Sequence, residues 1–187
     1  MTTTSVSICN AALLMVGADD INSFSDSTTE AKLCNALYED TRNTVLQYHP
    51  WVFSLKQIDL GGATTTAPLF DYKYSYQIPS DALRIVAAED STEYAIYGDK
   101  IHSNTSPKQI IYQALVAEDD MPSYFVRTLQ LYLARYFCIS LQEDVNKSSM
   151  FMQAADKELI RARNIDSQQQ TPLNIPDKNY TFINVRG

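Results

Sequence analysis

The chain has 187 residues, 45% of them hydrophobic, and a formal net charge of −7 with a pI near 4.7. That length supports one full core, burying roughly 70% of the unfolded surface, with room for a small inserted subdomain. The acidic balance argues against a groove that grips nucleic acid, which needs clustered Lys and Arg, but leaves open a surface past which DNA slides.

In chain order, residues 5–16 place Ile8, Ala12 and Met15 on one helical face, and Gly17 suits a left-handed stop. The polar connector "ADDINSFSDSTTE" tucks Ile21 and Phe24 inward and ends in Ser27-x-x-Glu30, a capping-box spacing that opens a second helix. From Ala31 the residues Cys34, Leu37, Tyr38, Thr41, Val45 and Tyr48 share one side, opposite Lys32, Asn35, Glu39, Arg42 and Asn43. Pro50 disfavours helix at His49 and ends it, and Trp51 and Phe53 then alternate as strand residues do, with Trp51 pinning the exit to the core.

Between Leu55 and Leu115 the period changes to two. "FDYKYSYQI" alternates aromatics, Pro79-Ser80-Asp81 marks a turn, Gly98-Asp99 fits a two-residue hairpin turn, and "KQIIYQAL" supplies another strand. The proline and acidic cap candidates of "AEDDMPSYF" then open a helix over about 121–142. Its apolar positions cover more than half the circumference, so it is expected to be central and packed on several sides. A flanking helix follows over about 145–164, with a narrower stripe of Phe151, Met152, Ala155, Leu159 and Ala162.

These elements predict an α+β fold: a bundle of about four helices from residues 1–54 and 116–165, an inserted antiparallel β subdomain over 55–115, and an extended C-terminal arm over 166–187. The arm starts polar yet carries Tyr180, Phe182, Ile183 and Val185, a mixture that fits either ordering on another surface or a frayed terminus. These four are the candidate interface residues. Tyr72, Tyr74 and Tyr76 are expected on one face of a strand, as interface or as sheet core, within a set of twelve tyrosines and seven phenylalanines.

Chemistry has little support in the sequence. His49 and His102 lack partners at metal-ligand spacing, there is no CxxC or HExxH, and Gly61-Gly62 sits in no phosphate-binding frame. Asp19-Asp20 and Asp119-Asp120 read as helix caps and dipole partners, and Cys9, Cys34 and Cys138 as buried thiols of a reducing compartment. No catalytic, metal or cofactor residue is assigned. The N-terminus lacks the basic flank of a signal peptide, and no apolar run approaches a membrane span.

The segments "CNAALLMVGADDINSF", "CNALYEDTRNTVLQYHPWVF", "YQIPSDALRI" and "EDDMPSYFVRTLQLYLARYF" carry a resemblance. Over residues 8–165 the chain resembles the tail tubular protein A family of short-tailed phages and, more loosely, the head-completion adaptors of long-tailed phages. The resemblance implies a non-catalytic virion protein of the neck and tail, assembled in the host cytoplasm. It implies a dodecameric ring that binds the portal protein and a tail nozzle, or a stopper in the long-tailed case, with genomic DNA passing through its lumen without sequence-specific binding. The alternatives from other classes are a small hydrolase using carboxylates near the sheet and a monomeric binding module.

Overall fold

A computed structural model describes residues 3–64, 66, 68, 70–88, 94–104 and 109–169. The expected α+β architecture is present, and the described residues form four α-helices and two three-stranded antiparallel sheets rather than one. The candidate interface residues Tyr180, Phe182, Ile183 and Val185 lie outside the described residues.

Helix α1 spans Ser5–Val16 and starts in a reciprocal cap: Ser7 N–H donates to Thr4 Oγ1 at 3.1 Å, and Thr4 N–H to Ser7 Oγ at 2.9 Å. It ends as expected at Gly17, whose φ of 82° brings its N–H onto the Leu13 carbonyl at 3.0 Å. Asn10 then anchors the connector, donating to the Ile21 carbonyl at 2.8 Å and accepting from the Ile21 N–H at 3.0 Å. Ile21 is thereby held buried.

Helix α2 spans Thr29–Gln47, and its cap is Thr28, which accepts from Ala31 N–H at 3.2 Å. The expected Ser27–Glu30 pair is displaced by one residue, because a helix that begins at Thr29 makes Ala31, not Glu30, the third position. Past Pro50, Trp51 is fully buried, but the chain makes a 3₁₀ turn over Val52–Ser54 instead of an alternating strand. The turn lets Ser54 N–H and Oγ both reach the Trp51 carbonyl, at 2.9 and 2.8 Å, and delays strand β1 to Leu55–Asp59.

Strands β2 (Tyr74–Gln77), β3 (Ala82–Ala88), β4 (Tyr94–Tyr97), β5 (Lys100–Ser103) and β6 (Gln109–Ala114) complete the insert. One sheet has the order β1-β6-β3 and the other β2-β5-β4. Gly98, at φ 61°, closes the expected β4–β5 hairpin, and Ala82 N–H closes the turn onto the Pro79 carbonyl at 3.0 Å. Tyr74 and Tyr76 share a face, with ring centroids 6.5 Å apart, but Tyr72 precedes the strand and lies against His102 at 6.3 Å. His102 pairs in register with Ser75, on the opposite face from Tyr76, so the expected three-tyrosine row is a pair.

Helix α3 spans Ser123–Gln142 and packs against α1, α2 and α4, the last over Val145–Ser167. As expected it is central, with Phe125, Leu129, Leu133 and Phe137 fully buried. Its cap differs: Pro122 stands at the N-cap without a side-chain bond, and Glu118–Asp120 form a 3₁₀ turn before it. Glu118 instead accepts from Tyr38 Oη and Arg42 Nη1, both at 3.1 Å, and ties that turn to α2. On α4 the stripe is centred on Ser148, Ala155, Ala162 and Asp166, while Met152 is exposed. The helix runs three residues past the expected 164 because buried Asp166 is itself part of the packing.

Candidate functional site

Three polar constellations and one cleft are candidates for function. The first surrounds Asp166, which is completely buried near the end of α4. Its Oδ2 accepts from Val52 N–H at 2.9 Å and lies 3.5 Å from His49 Nε2, while its Oδ1 accepts from Tyr124 Oη at 2.7 Å. Burial pushes the Tyr124 hydroxyl far above its ordinary range, with the bond to Asp166 adding to the effect. His49 is shifted down from 6.5: burial favours the neutral ring and outweighs the opposing pull of Asp166. Both Asp166 oxygens are thus committed to holding three chain segments together.

The second is Gln113, fully buried on β6. Its Nε2 donates at 2.7 Å to the carbonyl of Leu46, one of the acceptors that the end of α2 leaves open, and at 2.9 Å to the carbonyl of His49 just past the helix. Beside it Trp51 Nε1 donates to the Val45 carbonyl at 3.2 Å, and the Trp51 ring meets Phe125 edge to face at 5.2 Å and His49 at 5.0 Å. The "YHPWVF" segment is therefore the joint between bundle and sheets. The sequence signalled Pro50 and Trp51 there, but not Gln113 or Asp166.

The third is Lys56, Asp81 and Tyr112, on the face of the first sheet that Tyr112 shares with buried Ile110 and Ala114, with Lys56 Nζ 2.7 Å and Tyr112 Oη 3.2 Å from Asp81. The Lys56 ammonium beside it draws the Asp81 carboxyl down, and the Gln77 amide does the same for exposed Asp99. Carboxyls held ionised are poor general acids at neutral pH. His102 lies among Tyr72 and Tyr97 on the outer face of the second sheet, and among the described residues no three His, Cys, Asp or Glu side chains gather to hold a metal. Cys9, Cys34 and Cys138 are buried, and a hydrogen bond with Cys34, together with burial, holds the Cys9 thiol far above its usual range. Asp19 and Asp20 are exposed and cap no helix.

The cleft, about 1020 Å³, opens between the two sheets where the β4–β5 hairpin tip faces β3 and the end of β1. Ile58, Leu60, Ile78, Leu83, Ile85 and Ile96 give it apolar walls. Arg84 also lines it, and Arg84 Nε is buried without an acceptor among the described residues. Exposed apolar side chains occupy the bundle as well: Leu14 on α1, and Val145, Met150 and Ile160 on α4.

No family model and no curated protein matches the chain. Among the described residues, no helix is long and apolar enough to cross a membrane.

Proposed function

We propose that the chain is a structural virion protein that assembles into an adaptor ring between portal and tail and surrounds the path of the exiting genome. The supporting observation is where the quoted segments fall. Asn10, which fixes the connector, the Tyr48–Phe53 joint, the Pro79 turn and α3 as far as Phe137 lie within them, so the resemblance rests on residues that set the architecture. The polar groups best placed for chemistry are occupied in holding that architecture, as Asp166 and Gln113 illustrate.

A closed ring is a head-to-tail contact and needs two unlike complementary faces on each subunit. The bundle offers apolar side chains on α1 and on α4, and the insert offers the cleft. A net charge of −7 suits a lumen that repels the phosphate backbone. The test is mass by light scattering with negative-stain images, for the protein alone and with its cognate portal. Twelve-subunit rings in either sample are expected. A chain that stays monomeric and ignores the portal overturns the reading.

A further inference from the structure

Among the described residues, strand β4 is an edge strand with an unusual composition. Its sequence, Tyr94-Ala95-Ile96-Tyr97, carries no charge or proline, the devices that normally keep an edge from pairing, and Ile96 and Tyr97 are 48% and 59% exposed. The other edges are guarded. Lys56 and Asp59 stand on β1, two register shifts interrupt β3, and Thr64 N–H already caps β2 at the Ser75 carbonyl. The two-residue turn at Gly98-Asp99 makes Tyr97 and Lys100 the closing hydrogen-bonded pair, so the backbone groups of Tyr94 and Ile96 point away from β5.

Edge and cleft are continuous, because the Ile96 side chain is part of the cleft wall. A strand laid along β4 therefore gains main-chain bonds from the edge and directs alternate side chains over the apolar walls, the geometry of strand addition. Its carbonyls also offer Arg84 Nε the acceptor that the described residues do not supply.

We infer that this site receives residues 180–185 of a second copy of the chain. The segment Tyr180-Thr181-Phe182-Ile183-Asn184-Val185 is uncharged and rich in β-formers. Asp166 bonds Val52 N–H, so α4 ends beside the joint from which β1 departs, and the twelve residues from 168 to 179 reach about 40 Å when extended. The inference deepens the ring reading, and rests on it for the second copy, by naming one of the two unlike faces.

The test is amide exchange at Tyr94 and Ile96 in the full chain, at low and high concentration, alone and with the portal. The same measurement is made on a Phe182→Asp/Ile183→Asp variant, which charges both faces of the segment without touching the core described above. Slowing by about tenfold or more that grows with concentration or on the portal, and disappears in the variant, is the expected result. Slowing at every concentration that the variant abolishes means that the chain's own segment binds, and overturns the choice of a second copy. Fast exchange in all samples, or slowing that the variant leaves intact, overturns the site itself. Rings whose β4 amides exchange fast sink this inference and spare the ring reading. Concentration-dependent slowing in assemblies too small for a ring does the reverse.

Discussion

The bundle closes around a continuous core in which Trp51, Phe125, Leu129, Leu133 and Phe137 are all inaccessible, whereas among the described residues of the insert the buried apolar side chains are Tyr76, Ile101, Ile110, Tyr112 and Ala114, with partly buried neighbours such as Ile78 and Ile85 around them. An insert with so few buried apolar residues is marginal by itself, and beside its core lies a cleft of about 1020 Å³. Its order is therefore borrowed from the bundle through the joint at residues 46–55. The well-packed bundle thus positions an under-filled insert, which is left with surface to offer a partner.

Replacing Trp51 by alanine is expected to break this arrangement most severely. The substitution empties the place where Phe53, Tyr124, Phe125 and His49 converge and removes the bond to Val45, for a loss of about 3–5 kcal/mol. In urea the bundle and the insert should unfold together at a much lower midpoint. An unchanged midpoint would show that the joint does not couple the halves.

Asp166→Ala comes next. It leaves the Val52 N–H and the Tyr124 hydroxyl without their acceptor in a dry site, at a cost of about 3 kcal/mol. Asp166→Asn should recover part of this loss, since one amide oxygen can still accept one of the two bonds. Equal losses in both variants would assign the effect to charge rather than to the two hydrogen bonds.

Much of this frame was legible because it depends on neighbours in sequence. Gly17, Pro50, the Gly98-Asp99 turn and the wide apolar surface of α3 act through local backbone preference or helical period, and each landed where expected. The misses share a different cause. Asp166 and Gln113 are polar residues whose partners lie 114 and 67 positions away, and no period marks a polar residue for burial. The 3₁₀ turn after Trp51 was hidden because an alternating aromatic pair reads equally as a strand, and the division into two sheets depends on which strands pair, which alternation leaves open. For an interface the sequence offered the arm and the tyrosines of residues 72–76; the β4 edge and cleft emerge from strand order.

Gln113→Ala tests how the two halves are coupled, because it strips the Leu46 carbonyl at the end of α2 of this donor and leaves the His49 carbonyl with only the Trp51 N–H, while both apolar cores stay intact. A loss of about 2 kcal/mol is expected. Its distribution matters more than its size: amides of the β4–β5 hairpin should exchange faster while those of α3 stay as slow as in the parent. Uniform acceleration would mean that bundle and insert open as one unit.

The smallest effect is the response of the joint to pH. His49 faces Asp166 and the ring of Trp51, with the charges of Arg163 and Arg84 also acting on it, and burial lowers its pKa below 6.5. Above 6.5 the imidazole is neutral in both the folded and the unfolded chain, so its contribution is constant. As pH falls through 6.5 the unfolded chain takes up the proton first, and stability declines until pH also passes the lowered folded value. The slope in that window cannot exceed about 1.4 kcal/mol per pH unit, the limit for one proton. Urea titrations of the parent and of His49→Gln between neutral and mildly acidic pH separate this contribution from those of the carboxylates. The parent should lose more stability than the variant over the first unit below 6.5, because only the parent carries the group that the unfolded chain protonates more readily. Parallel curves would show that His49 titrates alike in both states, and that the carboxylate beneath it offsets its burial in full.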